Sequence, residues 1–124
     1  MLTDRYIIEI GMGVDIHGQD VTKAAVKAAK DAISRSCLIG LEEILGFTQD
    51  NMDENVFIDV TVAVSRPDEV VTEEIVKCFP VGKVSVQAVC GGLKTEGLYF
   101  TKFGDKDNSI EVAVASVSVK IKEL

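Results

Sequence analysis

The chain has no Trp, five Phe and two Tyr. A core built on large rings is therefore excluded, and the interior has to be aliphatic. Eighteen Val supply it, and β-branched residues favour sheet. Basic residues are scarce, 13 Lys and Arg against 20 Asp and Glu, for a net charge of −7. That balance excludes a nucleic-acid backbone as the default partner. No apolar run approaches the roughly 20 residues of a membrane helix. Met1-Leu2-Thr3-Asp4-Arg5 has no basic segment leading into an apolar one, so no signal peptide is expected and a cytoplasmic location is. Cys37, Cys78 and Cys90 are an odd number without CxxC spacing, which excludes a disulfide framework and a zinc ribbon. With a single His, no His-rich metal set can form, so no metal site is predicted and no cofactor is named. The 124 residues suit one domain, 1–124, with a core that needs no staples.

Tyr6, Ile8, Ile10, Met12 and Val14 alternate and predict a strand with that face buried. Val21, Ala24, Ala25, Ala28, Ala29, Ala32 and Ile33 follow at helical spacing, with Asp20 placed as N-cap. Leu38 to Leu45 reads as a short helix ended by Gly46, and Thr48 to Asn55 as a polar loop. Val56, Ile58, Val60, Val62 and Val64 predict the second strand. Pro67 opens a helix with Val71, Ile75, Cys78 and Phe79 as its apolar stripe. Val84, Val86, Ala88 and Cys90 give a third strand, ended by Gly91-Gly92. Leu98 to Phe103 reads as a short extra strand, with Gly104 to Asn108 as its turn. In the last strand Ile110, Val112 and Val114 alternate on even numbers, but Val117, Val119 and Ile121 on odd ones. That slip predicts a β-bulge at Ala115-Ser116. The order β-α-β-α-β-β implies an α+β two-layer domain, a mixed four-stranded sheet with helices on one face. Ile7, Phe57 and Ala63 would then lie wet on the other face, which predicts burial against further copies of the chain.

Two segments carry chemistry. Gly11-Met12-Gly13-Val14-Asp15-Ile16-His17-Gly18-Gln19-Asp20 is too polar and Gly-rich to be only core. Asp15 and His17, two apart in extended chain, point the same way. An imidazole exchanges protons near neutral pH, so His17 is the candidate general acid/base, oriented by Asp15. The alternative is a loop His bonded to backbone. Gly11, Gly13 and Gly18 would let the backbone approach a ligand closely. Gln19, Thr22 and Lys23 would bind it at the helix N-terminus. In Cys90-Gly91-Gly92-Leu93-Lys94-Thr95-Glu96-Gly97, a Cys at a strand end with open amides beside it fits a nucleophile and oxyanion hole. Gly91, Gly92 and Thr95 would contact ligand, and Glu96 would be a second carboxylate. The alternative is a core-facing Cys90.

The Gly11 to Gly18 segment resembles the Gly-x-Gly-x-Asp-x-His-Gly signature of a small family of hypothetical proteins found chiefly in Firmicutes, with every fixed position present. That family has no assigned activity. The order of elements is similar to the Bacillus-type chorismate mutase fold, which implies trimers with sites between subunits. The arginines that hold a dicarboxylate there have no counterpart in the candidate loops. Cys90-Gly91-Gly92 and Thr95-Glu96-Gly97 resemble a split version of the Ser-Gly-Gly-Thr-Glu-Gly-like segment of ring-opening amidohydrolases such as cyanuric acid hydrolase. Those proteins fuse three repeats of about this length around one site. The resemblance implies Cys90 in place of the Ser, with Asp15 and His17 where a Lys would stand. The expectation is a homo-oligomer, a trimer first, with a small-molecule site between subunits and hydrolase-like acid/base chemistry. The alternatives are a non-catalytic binding or regulatory module on the same scaffold, and a purely structural assembly protein.

Overall fold

In the computed structural model, residues 3–17 and 19–122 are described. Five strands form one mixed sheet in the order β1-β5-β2-β3, namely β1 (Thr3–Asp15), β5 (Ser109–Lys122), β2 (Val56–Val64) and β3 (Lys83–Cys90). β5 is antiparallel to both its neighbours, and β2 and β3 are parallel. The fifth strand, β4 (Leu93–Glu96), pairs with β5 at residues 109–112, just past the stretch of β5 that β2 occupies. Helices α1 (Val21–Ile33), α2 (Gly40–Glu43), α3 (Gln49–Asn55) and α4 (Thr72–Val76) complete the layer. The two-layer α+β class is the expected one, with one short strand more.

The packing of α1 sets the architecture. Asp20 caps it, its carboxylate accepting from the N–H groups of Thr22 and Lys23 at 2.9 and 3.2 Å. Its buried face is Val21 and five alanines, so the helix comes very close to the sheet. β1 answers with glycine: a Cβ on Gly13 would stand 2.3 Å from the Ala24 carbonyl, and one on Gly11 2.3 Å from the Ala32 nitrogen. The core face of β1 is therefore Glu9, Gly11, Gly13 and Asp15. Ile8, Ile10 and Met12, expected inside, are 50, 54 and 58% exposed on the opposite face. Ile7, expected on the uncovered face, instead pairs with core residue Val119. The core itself comes from Ile58, Val60, Val62 and Val64 of β2 and from Ala113, Ala115, Val117 and Val119 of β5, closed by Leu41, Phe47 and Ile75.

Four further expectations change. β5 pairs with β1 and β2 without a break at Ala115-Ser116, so there is no bulge there. Its odd residues from 109 to 119 are buried, and Ile110, Val112 and Val114 belong to the other face. The register irregularity lies in β1, between Arg5 and Ile7. Residues 49–55 are helical, because Thr48 and Asn51 form a reciprocal capping box that outweighs the polarity of the segment. The Pro67 helix is split into a 3₁₀ turn over Pro67–Glu69 and α4. The extra strand is β4, not Leu98 to Phe103, where a 3₁₀ turn over Thr101–Phe103 follows irregular chain.

Candidate functional site

β1 delivers its last residues to the end of the sheet where β5 begins. Gln19 there has φ +49, a left-handed conformation uncommon outside Gly, and it is buried. Its amide ties two loops together. Nε2 donates to the Ser109 carbonyl at 3.0 Å, and Oε1 accepts from Lys106 N at 2.8 Å. Arg66 Nη2 donates to the Gln19 carbonyl at 2.7 Å. Gln19 is thus a clasp between residues 16–20 and 104–109.

That clasp sets His17 against Asp105. His17 Nδ1 lies 3.1 Å from each Asp105 carboxylate oxygen. The Asp105 side chain is fully buried and also accepts from Phe100 N at 2.9 Å, while the His17 side chain is 36% exposed. The imidazole stacks on Phe103 with centroids 4.7 Å apart, and Phe103 meets Phe100 edge-on. A carboxylate on Nδ1 favours the tautomer with its proton there. Nε2 is then left as the atom that can take or give one. Phe103 and Phe100, both exposed, continue the apolar surface from the imidazole. His17 lines neither the cleft along α1 nor the cavity around Glu9.

Asp15 is not the residue that orients His17. It is buried, and its Oδ2 accepts from Asp20 N at 2.7 Å, closing the loop ahead of α1. Gly11 and Gly13 are occupied by the α1 backbone, so their backbones meet the helix where a ligand was expected. Gly18 lies outside the described residues. Thr22 fastens α1 to the next segment, donating to the Glu69 carbonyl at 3.3 Å and accepting from Val71 N at 3.0 Å. Thr22 and Lys23 both line an open cleft of about 620 Å³ along α1.

The second predicted segment reaches the same end of the sheet by another route. Gly91 N donates to the Val64 carbonyl at 2.9 Å, and Gly92, at φ +70, passes so close to the Val112 carbonyl that a Cβ would stand 2.3 Å from it. These glycines carry the chain across the end of β2 onto β5. Cys90 is exposed at the end of β3 and not enclosed, although the register pairs it with core residue Val64. Thr95 and Glu96 are exposed on β4, opposite Ile110 and Ser109.

Other carboxylates at this end hold backbone. Buried Glu111 accepts from Ser65 Oγ and N at 2.6 and 2.8 Å. The Ser109 hydroxyl, then its backbone N–H, hold the Asp107 carboxyl below the ordinary aspartate value, with Lys94 and Arg66 adding smaller attractions. Among the described residues no group of three His, Cys, Asp or Glu could hold a metal ion. Asp105 and Phe103, which the sequence reading missed, lie in and beside the Gly104 to Asn108 turn. The signal was an acid-rich turn preceded by an aromatic cluster.

Residues 5–119 match the family described as conserved hypothetical protein, Lin0512_fam. A solved FtsZ-like protein of unknown function from Nostoc punctiforme is 36% identical, over 99% of this chain and 99% of that one, with a TM-score of 0.86. The bifunctional IspDF of Campylobacter jejuni aligns at 15% identity over 98% of this chain and 44% of that one, with a TM-score of 0.32. No curated protein matches the chain.

Proposed function

Since the chain belongs to the Lin0512_fam family of conserved hypothetical proteins, we propose that it is a one-domain cytoplasmic homo-oligomer whose His17–Asp105 pair serves a small-molecule site completed by a neighbouring copy. The observation that carries this reading is a partly exposed imidazole held by a buried carboxylate and stacked on Phe103. His17 Nε2 takes a proton from water or from a carbon acid, Asp105 stabilises the imidazolium, and the proton is returned to the leaving atom. Hydrolase-like chemistry on an amide, lactam or ester fits these parts. The stacked, apolar surround also supports a second reading, ligand binding without turnover.

The uncovered sheet face supports the oligomer. Ile8, Ile10 and Met12 stand beside Val114, which is 39% exposed, and register places Val14, Val112 and Ala63 on the same side. Such a face is usually covered by another chain. The outer edge of β1 is blocked instead, because Met12 N donates to Asp31 and the Val14 carbonyl accepts from Lys27, both at 2.9 Å. This favours assembly by the face, which we read as a trimer of the Bacillus chorismate mutase type or like the three repeats of a ring-opening amidohydrolase. The Gly11 to Gly18 signature would then mark the loop that each copy brings to the site.

Sedimentation of the wild type and of Ile10→Lys tests the assembly, with an oligomer and a folded monomer expected. A wild-type monomer at micromolar concentration overturns it. A screen of amide, lactam and ester substrates, with His17→Ala and Asp105→Asn as controls, tests the site. Turnover lost in both variants while the fold is kept supports catalysis. Binding without turnover, lost in the same variants, supports the second reading. Variants indistinguishable from wild type in both assays overturn the site.

A further inference from the structure

At the opposite end of the sheet lies a cavity of about 390 Å³, in the size range of small-ligand pockets. Its walls are Ile33, Leu38, Ile58, Val81, Val117 and Val119. One buried carboxylate stands among them. Glu9, on the core face of β1 opposite Val117, is only 8% exposed and lines the cavity. Ser36 Oγ donates to its Oε2. Among the described residues nothing donates to Oε1, and no Lys or Arg pairs with Glu9. The other charged residues of the lining, Glu42 and Glu43, are also acidic, and the lining contains no Lys or Arg.

Glu9 Oε1 keeps some accessible surface and opens on the cavity, whose apolar walls solvate a carboxylate poorly and so favour a partner of opposite charge. The chain does not provide that partner, although a leucine or methionine at position 9 would fill the same space without the penalty. We propose that this cavity binds an organic ammonium, a protonated amine with an apolar body. The apolar body lies against Ile33, Val117 and Val119, and the ammonium donates to Glu9 Oε1. The negative rim of Glu42 and Glu43 favours entry of a cation over an anion. A metal ion is a poorer occupant, because apolar walls supply no further oxygen ligands.

Calorimetry of the full chain with n-hexylammonium, 1-hexanol and hexanoate tests this. Hexylammonium is expected to bind at least tenfold more tightly than hexanol, with hexanoate weakest. Glu9→Gln, which keeps an acceptor for Ser36, is expected to bring hexylammonium down to the level of hexanol. An ammonium that binds no better than the alcohol overturns the proposal, as does a Glu9→Gln protein that keeps the preference. Cys37, exposed and part of the lining, gives a readout on the unaltered protein should that variant fail to fold. Hexylammonium should slow alkylation of Cys37 but not of Cys90, and hexanol at equal concentration should slow neither. Equal effects of the two compounds on Cys37, or none, overturn the proposal.

Discussion

Replacing Gly13 by Ala adds one methyl where α1 already touches the strand. The new carbon would stand 2.3 Å from both the Ala24 carbonyl oxygen and the Ala28 nitrogen, and 2.7 Å from Lys27 Cβ. The first two are helix backbone and cannot swing aside. Ordinary contact lies near 3.5 Å, so the helix has to lift by about 1 Å. Lifting it opens a gap over Ala24, Ala25, Ala28 and Ala29, none of which has any exposed surface. A gap of that size forfeits a quarter to a half of the dispersion energy across it. Overpacking of this kind costs about 1–3 kcal/mol, and the rigid backbone places Gly13 near the top of that range. Alanine restricts the unfolded chain and returns about 0.4–1 kcal/mol, since Gly13 does not have a positive φ. The net loss is about 2 kcal/mol, a large share of the 5–15 kcal/mol typical of a domain. Urea unfolding should show a lower midpoint at unchanged slope. A Gly13→Ala protein within about 0.5 kcal/mol of wild type would refute the packing argument and return Gly13 to the role of a ligand-approach glycine.

Thiol reactivity separates the three cysteines. Burial pushes the Cys78 thiol above its ordinary pKa; Lys30 opposes this and Glu74 adds to it. Iodoacetamide at mildly alkaline pH should therefore modify exposed Cys37 and Cys90 at least about fivefold faster than Cys78, read by peptide mass spectrometry; equal rates would contradict this. Asp107 supplies an acid-dependent term. Its folded pKa is below the unfolded one, so its contribution is present above the ordinary value of 3.8 and disappears as pH falls through the folded value. Asp107→Asn should lower the urea midpoint at neutral pH and match wild type in strong acid; a deficit that persists in strong acid would exclude ionisation as its source.

The helix face of α1 was legible because alanine at helical spacing has one reading. The faces of β1 and β5 were not. Periodicity reports that Ile8, Ile10 and Met12 share a side, but not that Gly11 and Gly13 hold the helix. An Ala-rich helix demands the smallest residues opposite it, and the apolar side is left for something outside the chain. The same ambiguity produced the bulge that is absent from β5. Ile110, Val112 and Val114 on one side and Val117 and Val119 on the other are two apolar faces of one regular strand. His17 stood out by residue type alone. Its partner did not, because Asp105 lies 88 positions away and is brought to it by tertiary contacts such as the Gln19 clasp. Asp15, its neighbour in sequence, was committed to Asp20 N by the need to close a turn before α1.

The central position of β5 bears on how the chain is made. β1, β2 and β4 all pair with it, yet it leaves the ribosome after every one of them. β1 must wait for roughly 90 residues to be translated, about 5–20 s at ordinary elongation rates, before it has a strand to pair with. Through that interval Ile8, Ile10 and Met12 sit on an unpaired strand in the nascent chain, and several chains emerging close together on one message would share the same open edge. Long-range pairing of this kind also slows folding after release. Yield of folded protein should therefore depend on the density of nascent chains and on holding chaperones more steeply than the finished fold would suggest.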